Sequence, residues 1–490
     1  MLKNTVDMKI LNPTDFIRPD GNERNSLKNM SPKDGKMLQY QNRGIEKTKK
    51  GLFLNENVFS EYALMRFSLF YVSCEKQYYC YNERLHVWCA VDAIFLKRLY
   101  KNILNEAGKV YSVAWDGRIL SALDSTIDYF NSKPETERVW VFPNGVLSME
   151  TLEFKEFEDV QEVIYNYSVM PYNYDPEATA PVFEAFVADL FWNDQKMVDL
   201  IQELFAYALE KNYSPKALMV YLYGSGANGK SLMLSVLRGL FPDDEISTQS
   251  IQNLSSQFGL ASVVGKSICC CPDLSGNDIV DSSVFKAISS GDPVDVEHKY
   301  QDRYSAVLHT KFWVASNHPL KTSNDQTLGM WRRVLTIPMT KRFLSPDDAN
   351  YSKDDCGVID LTLGEKLAAE KAGVLNWAIR GLKKLRMDNY EFLKHPKCEK
   401  LKEEFILGNS VIYHFASTCV SRLEGNQIAT SRVHELFEDW CNENELEYSQ
   451  FANNRAFHKA FAQVLRSIGL PYVKKKNVIM KYYDIQIFIH

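Results

Sequence analysis

The chain has 490 residues, of which 45% are hydrophobic and 24% charged, and a formal net charge of −5. That size suits two to four domains and that balance an ordinary globular protein, not a uniform polycation or a low-complexity chain. No apolar run reaches the length of a membrane span, which predicts no membrane partner. The N-terminus is polar and lacks a signal-peptide core, and the ten cysteines show no disulfide framework and no C-x-x-C pair, so a reducing, cytoplasmic setting is expected. Cys74, Cys80, His86 and Cys89 are irregularly spaced among alternating aromatics and read as strand residues before they read as zinc ligands.

Residues 1–55 show no sustained hydrophobic period and predict a disordered or flexible basic arm, with eleven Lys and Arg against six Asp and Glu in the first 50 residues. Residues 56–180 predict an α+β domain, with strands near Phe67–Val72, Gln77–Tyr81 and Leu85–Ala90, a helix over Val91–Glu106, and strand character again at Val139–Met149 and Val163–Pro171. The stretch 181–215 opens at Pro181 and has the spacing of two packed helices. Residues 216–345 alternate strand and helix signals, as in an α/β nucleotide-binding core, and residues 346–408 are mostly helical in pattern. In residues 409–490, Ser431–Asn442 and Asn453–Ser467 are amphipathic helix candidates, and Pro471–Ile489 reads as two strands around a basic turn. Helices followed by a basic hairpin suit a winged-helix-like DNA-binding domain, and residues 453–490 carry seven basic residues against one acidic. Arg455, Lys459, Arg466, Lys474, Lys475 and Lys476 are the basic candidates there.

The chemistry concentrates in Gly224-Ser225-Gly226-Ala227-Asn228-Gly229-Lys230-Ser231, which fits the phosphate-binding loop G-x-x-x-x-G-K-[ST]. An apolar run, Ala217–Tyr223, precedes it and a helix-spaced run, Ser231–Leu240, follows, as that loop requires. Glycines let backbone N–H groups close around phosphate oxygens, and the helix N-terminus adds a positive dipole end. Lys230 would reach the β- and γ-phosphates of ATP, and Ser231 would hold Mg²⁺. A hydrolase also needs a carboxylate for the metal, a polar group near the γ-phosphate and usually an arginine. Asp273 follows the apolar run 267–272, at the sheet edge where open α/β folds bind ligands. Asn317 ends the run Phe312–Ser316, and Arg332 and Arg333 precede the run Val334–Pro338, from which an arginine would reach a neighbouring subunit. Each of the four alone reads as a turn former or a solvated surface charge; their order and spacing after the loop give them weight.

These segments, GSGANGKS, GKSICCCPDLS, FKAISSGDPVDVEHKY, FWVASNHP and MWRRVLTIP, together with VFPNGVLSMETLEF and the helices after YDPEATAPVFEAFV, resemble the superfamily 3 helicases, in particular the phage, plasmid and mobile-element primase-helicase group shared with nucleocytoplasmic viruses. The resemblance covers about residues 60–345. It implies an AAA+-like core, a homo-oligomeric ring, typically a hexamer, ATP sites between subunits, and translocation on single-stranded and forked DNA, typically 3′ to 5′. By motif it makes Asp273 the Walker B acid, Asn317 the sensor and Arg332 or Arg333 the arginine finger. Val294–Ala306 matches the group's DNA-contacting hairpin, with His298, Lys299 and Arg303 near its tip. Two departures stand out. Pro272 precedes Asp273 where many relatives carry paired acids, which leaves Glu297 or Asp292 to assist. The primase domain that often leads the group has no counterpart in the first 55 residues, so a helicase without primer synthesis is expected.

The sequence therefore predicts an ATP-dependent replicative DNA helicase of a phage or mobile element, with origin duplex DNA as a further candidate partner. The competing reading is a nucleotide-switched, origin-binding initiator that assembles without productive unwinding. A small-molecule kinase would share only the phosphate loop, and the length, basic tail and arginine pair speak against it.

Overall fold

The computed structural model describes residues 11–28, 30–160, 163–211, 219–271, 279–280, 282–297, 303–322, 329–451, 453–470, 473–476 and 480–488. The chain forms two compact units, Met1–Pro176 with Phe241–Glu245, and Glu177–Leu240 with Ile246–His490.

The first unit pairs Val87–Val91, Gln77–Asn82, Leu69–Val72 and Asp128–Phe130 in that order. A second sheet, Val139–Phe142, Gly145–Ser148 and Phe154–Glu156, is a meander. Helices Glu56–Arg66, Ala93–Asn105 and Asp116–Asp124 bury apolar faces against the same core. Residues 163–170, expected as a strand, run without forming a ladder.

The expected flexible arm is corrected from residue 11 onward. Helices Gly21–Leu27 and Pro32–Asn42 are followed by a hairpin of Ile45–Thr48 with Gly51–Leu54. Four of the segment's apolar side chains, Leu11, Phe16, Ile45 and Leu54, enter the unit's core, while Met30, Met37, Leu52 and Phe53 stay exposed. Arg43 is wholly buried and binds Glu23 and Glu106, each at 2.7 Å, and the carbonyl of Ile103 at 2.8 Å. Arg66 joins Glu106 at 2.8 Å. A buried guanidinium is stable only when its donors are matched, and carboxylates 20 and 63 residues away complete this one.

The second unit is built on a five-stranded parallel sheet. Helices α1 (Pro181–Leu190) and α2 (Gln195–Ala208) precede strand β1 (Met219–Tyr223). Helix α3 (Lys230–Gly239) follows, then β2 (Ile246–Ser247), β3 (Ile268–Cys271), β4 (Lys311–Ser316) and β5 (Val334–Pro338). The spatial order is β2-β3-β4-β1-β5, parallel throughout. Strands β3 and β4 are buried along their whole length, hence the apolar runs Ile268–Cys271, with three consecutive cysteines, and Phe312–Ala315. Phe205 of α2 packs edge-to-face on Trp313 of β4 at 5.6 Å and on Trp377 at 5.8 Å, which locks the helix pair and Lys371–Met387 onto the sheet.

The C-terminal part of this unit runs helix Val411–Cys419, strand Val420–Ala429, helices Thr430–Glu443 and Asn454–Ser467, and strands Val473–Lys476 and Met480–Ile487. The three strands pair antiparallel with Met480–Ile487 in the centre. Phe415, Phe437, Trp440, Phe457, Phe461 and Tyr482 form its core. Among the described residues, no helix is long and apolar enough to cross a membrane.

Candidate nucleotide-binding site

The loop between β1 and α3 takes a backbone course that its sequence permits and most sequences would not. Gly226 has φ 101° and Gly229 φ 75°, both left-handed, and Ala227 is left-handed at φ 49°. A Cβ on Gly224 would lie 2.3 Å from the carbonyl oxygen of Met339, so only glycine fits. Gly229 is the N-cap of α3 and makes no side-chain cap bond, so the positive end of the helix meets the loop itself.

Lys230 folds back into the loop. Its buried ammonium donates to the Gly224 carbonyl at 2.7 Å, to Asn228 Oδ1 at 2.8 Å and to Asn317 Oδ1 at 2.9 Å. Asn228 is buried too, and its amide donates to the Met339 carbonyl at 2.9 Å. The loop is thus tied to the residues after β5, and the Phe343 N–H adds a bond to the Ala227 carbonyl at 2.6 Å. Ser231 is exposed in the first turn of α3. Mg²⁺ keeps most of its waters and takes one or two protein oxygens beside substrate phosphates, so such a hydroxyl suits it.

Sheet order explains why Asn317 reaches Lys230. Strand β4 lies directly beside β1, with Tyr223 opposite Ser316, so the residue after each strand sits at one C-terminal edge. Arg332 and Arg333 stand at the other edge. They form a short turn, Trp331–Arg333, immediately before β5, and β5 runs parallel to β1 with Val334 opposite Met219. A strand rises roughly 3.3 Å per residue, so about 20 Å separates them from the loop of the same chain. Arg332 is exposed, and Arg333 donates to the Gly329 carbonyl at 2.7 Å.

Asp273, His298 and Lys299 lie outside the described residues. Arg303 is described, on a hairpin of Val294–Val296 with Tyr304–Ala306, and its guanidinium pairs with Glu297 at 2.7 Å. Glu297 also accepts from Gln257 at 2.9 Å. The bonds from Gln257 and Arg303 hold its carboxyl below the usual range, which makes it a weak proton acceptor. Arg455, Lys459 and Arg466 are exposed on one face of helix Asn454–Ser467, opposite Phe457, Phe461 and Leu465 in the core. Lys474, Lys475 and Lys476 belong to the strand Val473–Lys476, whose side chains lie outside the description. Sequence reasoning missed Asn228 as the loop's internal tie and Met339 as its anchor. The asparagine occupies a variable position of the motif, and a backbone carbonyl leaves no mark in sequence.

Three family matches divide the chain. Residues 81–192 match "D5 N terminal like", residues 222–333 match a family of unknown function, DUF5906, and residues 407–488 match "Poxvirus D5 protein-like". A protein of Acanthamoeba polyphaga mimivirus named "Putative helicase" is 25% identical over 374 residues, 72% of this chain. The chain spans only 38% of that relative's length. Among solved structures, the apo C-terminal region of NrS-1 covers 85% of this chain and 96% of its own at 13% identity, with a TM-score of 0.45, a loose likeness from which nothing further follows. A second apo structure of that region gives the same TM-score with 86% of this chain covered. Two segments of the chain are thus similar to D5-type proteins, and most of its length is similar to part of a larger viral protein named as a putative helicase.

Proposed function

We propose that this chain is an ATP-dependent replicative DNA helicase of superfamily 3, with an AAA+-like core that works as a ring on single-stranded and forked DNA. The observation that carries the reading is the bond between Lys230 of the phosphate loop and Asn317 at the end of the adjacent strand. A protein that only binds nucleotide needs the loop alone. A hydrolase needs a polar group at the γ-phosphate, and β4 delivers one to the lysine that would contact that phosphate.

In this reading Lys230 and the first-turn N–H groups of α3 hold the phosphates. Ser231, with Asp273, holds Mg²⁺, which would neutralise phosphate charge. Asn317 orients the attacking water. Arg332 or Arg333 cannot reach the loop of its own chain, about 20 Å away along β5, and so would serve a neighbour, as a homo-oligomer with sites between subunits requires. The domain reading has residues 56–180 as helicase-associated domain, 181–215 as collar, 216–345 as core, 346–408 as linker or lid and 409–490 as winged-helix-like. The order helix, strand, helix, helix, strand, strand in 411–487 supports the last of these. There the face of Arg455, Lys459 and Arg466 would lie along duplex phosphates, with Lys474, Lys475 and Lys476 on the wing. His298, Lys299 and Arg303 would contact the strand in the ring.

The experiment is ATP hydrolysis with and without single-stranded DNA, alongside unwinding of a tailed fork. Strand-stimulated turnover with unwinding is expected. Nucleotide-dependent assembly without stimulation or unwinding would replace the motor with the nucleotide-switched initiator.

A further inference from the structure

Beside the phosphate loop stands a group of side chains that the phosphate chemistry does not use. Helix α1 ends against the loop, and a Cβ on Gly229 would meet Leu190 at 2.6 Å and Phe186 at 3.6 Å. Directly after α1 the chain turns through Trp192 and Asn193, both left-handed at φ 58°. That conformation is rare for any side chain and an outlier for one as bulky as tryptophan. The turn is fixed from several sides: the Trp192 N–H donates to the Asp189 carbonyl at 3.2 Å and the Asn193 N–H to the Ala188 carbonyl at 2.8 Å. Asp194 then caps α2 and pairs with His395 at 3.1 Å.

The turn holds the indole in the open, 43% exposed, which is unusual for the largest apolar side chain. Lys341 lies over its ring, 4.4 Å from the centroid, and pairs with Asp189 at 2.5 Å. The same ammonium is 5.6 Å from the ring of Phe343. Phe343 is the residue whose N–H binds Ala227 of the loop, and its ring packs on Gly357, where a Cβ would approach to 2.5 Å. An exposed indole, an almost buried ammonium on it and a phenyl ring therefore share the outer flank of the loop.

We propose that this corner is the nucleobase subsite, and that it selects purine nucleoside triphosphates by stacking on Trp192. The proposal rests on the reading that the loop binds nucleotide. A base continues from the phosphates past the flank of the loop, and an aromatic face offered there at a strained backbone position is suited to it. Lys341 fixes the indole from one side, so that the exposed side receives the base at little further ordering cost. Stacking scales with ring overlap, so ATP and GTP should bind alike, and both better than CTP or UTP. Phosphate binding belongs to the loop and is independent of the indole.

The test measures dissociation constants of the full chain for ATP, GTP, CTP and inorganic tripolyphosphate. Trp192→Gly removes the ring and relieves the left-handed strain; Trp192→Phe keeps an aromatic face. With Trp192→Gly, ATP should weaken by about 5-fold or more, since stacking on an aromatic is worth about 1–3 kcal/mol per base. Tripolyphosphate should bind as in the wild type, the preference for purines should shrink, and Trp192→Phe should recover most of the loss. Equal weakening of ATP and tripolyphosphate, or no weakening of either, would overturn the subsite while leaving the phosphate loop intact. Failure of the wild type to bind either one would overturn the nucleotide reading itself, and the subsite with it.

Discussion

If the chain is the proposed hydrolase, replacing Asn317 with alanine should separate hydrolysis from binding. Its side-chain oxygen is one of three described acceptors of the Lys230 ammonium, at 2.9 Å, and the other two, Gly224 O and Asn228 Oδ1, belong to the loop. The loop keeps its own ties, Asn228 to Met339 and Phe343 to Ala227, when Asn317 is truncated. Asn317 is also exposed at the sheet edge, so its loss buries no unsatisfied group and should cost less than about 1 kcal/mol of stability. A hydrogen bond to a charged group is worth about 1.5–3 kcal/mol. If that interaction matters only where charge develops at the γ-phosphate, Asn317→Ala should lower kcat by about 10- to 150-fold and change ATP affinity by less than about 3-fold. Single-turnover hydrolysis and equilibrium binding of a slowly hydrolysed ATP analogue read the two quantities separately. A variant that binds and turns over normally would remove Asn317 from the site. A variant that loses binding and turnover equally would make the residue a prop for Lys230, with no part in the chemical step.

Lys230→Ala should abolish turnover with the fold retained, and retained turnover by that variant would displace the site from the loop. Mixing it with Arg332→Ala/Arg333→Ala should restore part of the activity through mixed assemblies, whereas absence of rescue at every ratio would argue against sites shared between subunits. Arg455→Ala/Lys459→Ala/Arg466→Ala should weaken duplex DNA binding and flatten the salt dependence by nearly three units of log–log slope, at about 0.9 per phosphate contact; an unchanged slope would move the duplex elsewhere. Arg43→Ala strands Glu23 in the first unit's interior and should cost about 3–5 kcal/mol in thermal or denaturant unfolding. Burial disfavours the charge on Glu106, but hydrogen bonds from Arg66 and Arg43 outweigh it and depress its pKa. Its contribution is therefore present above the ordinary glutamate range and lost as pH falls through the depressed value. Glu106→Gln should make the acid limb of a stability–pH profile shallower, and an unaltered limb would refute that assignment.

What could be read from the sequence was what local backbone chemistry dictates. Gly226 and Gly229 sit at left-handed positions because the loop needs them, so the motif announces the geometry. The apolar runs of β3 and β4 follow from burial on both faces, and Pro181 opens α1 as its fixed φ allows. What stayed hidden depends on partners far along the chain. The order of residues 11–55 rests on four apolar side chains and on Arg43, whose acids lie at Glu23 and Glu106; a polar composition conceals such an arrangement. Strand Val420–Ala429 escaped because its middle is polar and exposed, with a register shift between Arg422 and Gln427, and only pairing with Met480–Ile487 makes it a strand. Trp192 was invisible as a candidate because its interest lies in a left-handed φ and in Lys341, 149 positions away in sequence and 4.4 Å from its ring.

Strand β5 gives the proposed motor its mechanical link. At its C-terminal end Met339 accepts from Asn228, and Phe343 just beyond donates to Ala227, so the loop is tied to that end of the strand. At its N-terminal end stand Arg332 and Arg333. Between them Val334, Thr336 and Ile337 are buried, Thr336 donates to the Cys398 carbonyl at 2.8 Å, and the whole strand is in register with β1. A buried strand so bonded moves as a body and does not bend. In the proposed ring, phosphate contacts made at one end in one subunit would bear on the position of arginines that would face the next. Neither the loop nor the arginine pair acquires that property alone; it comes from their placement at opposite ends of one strand.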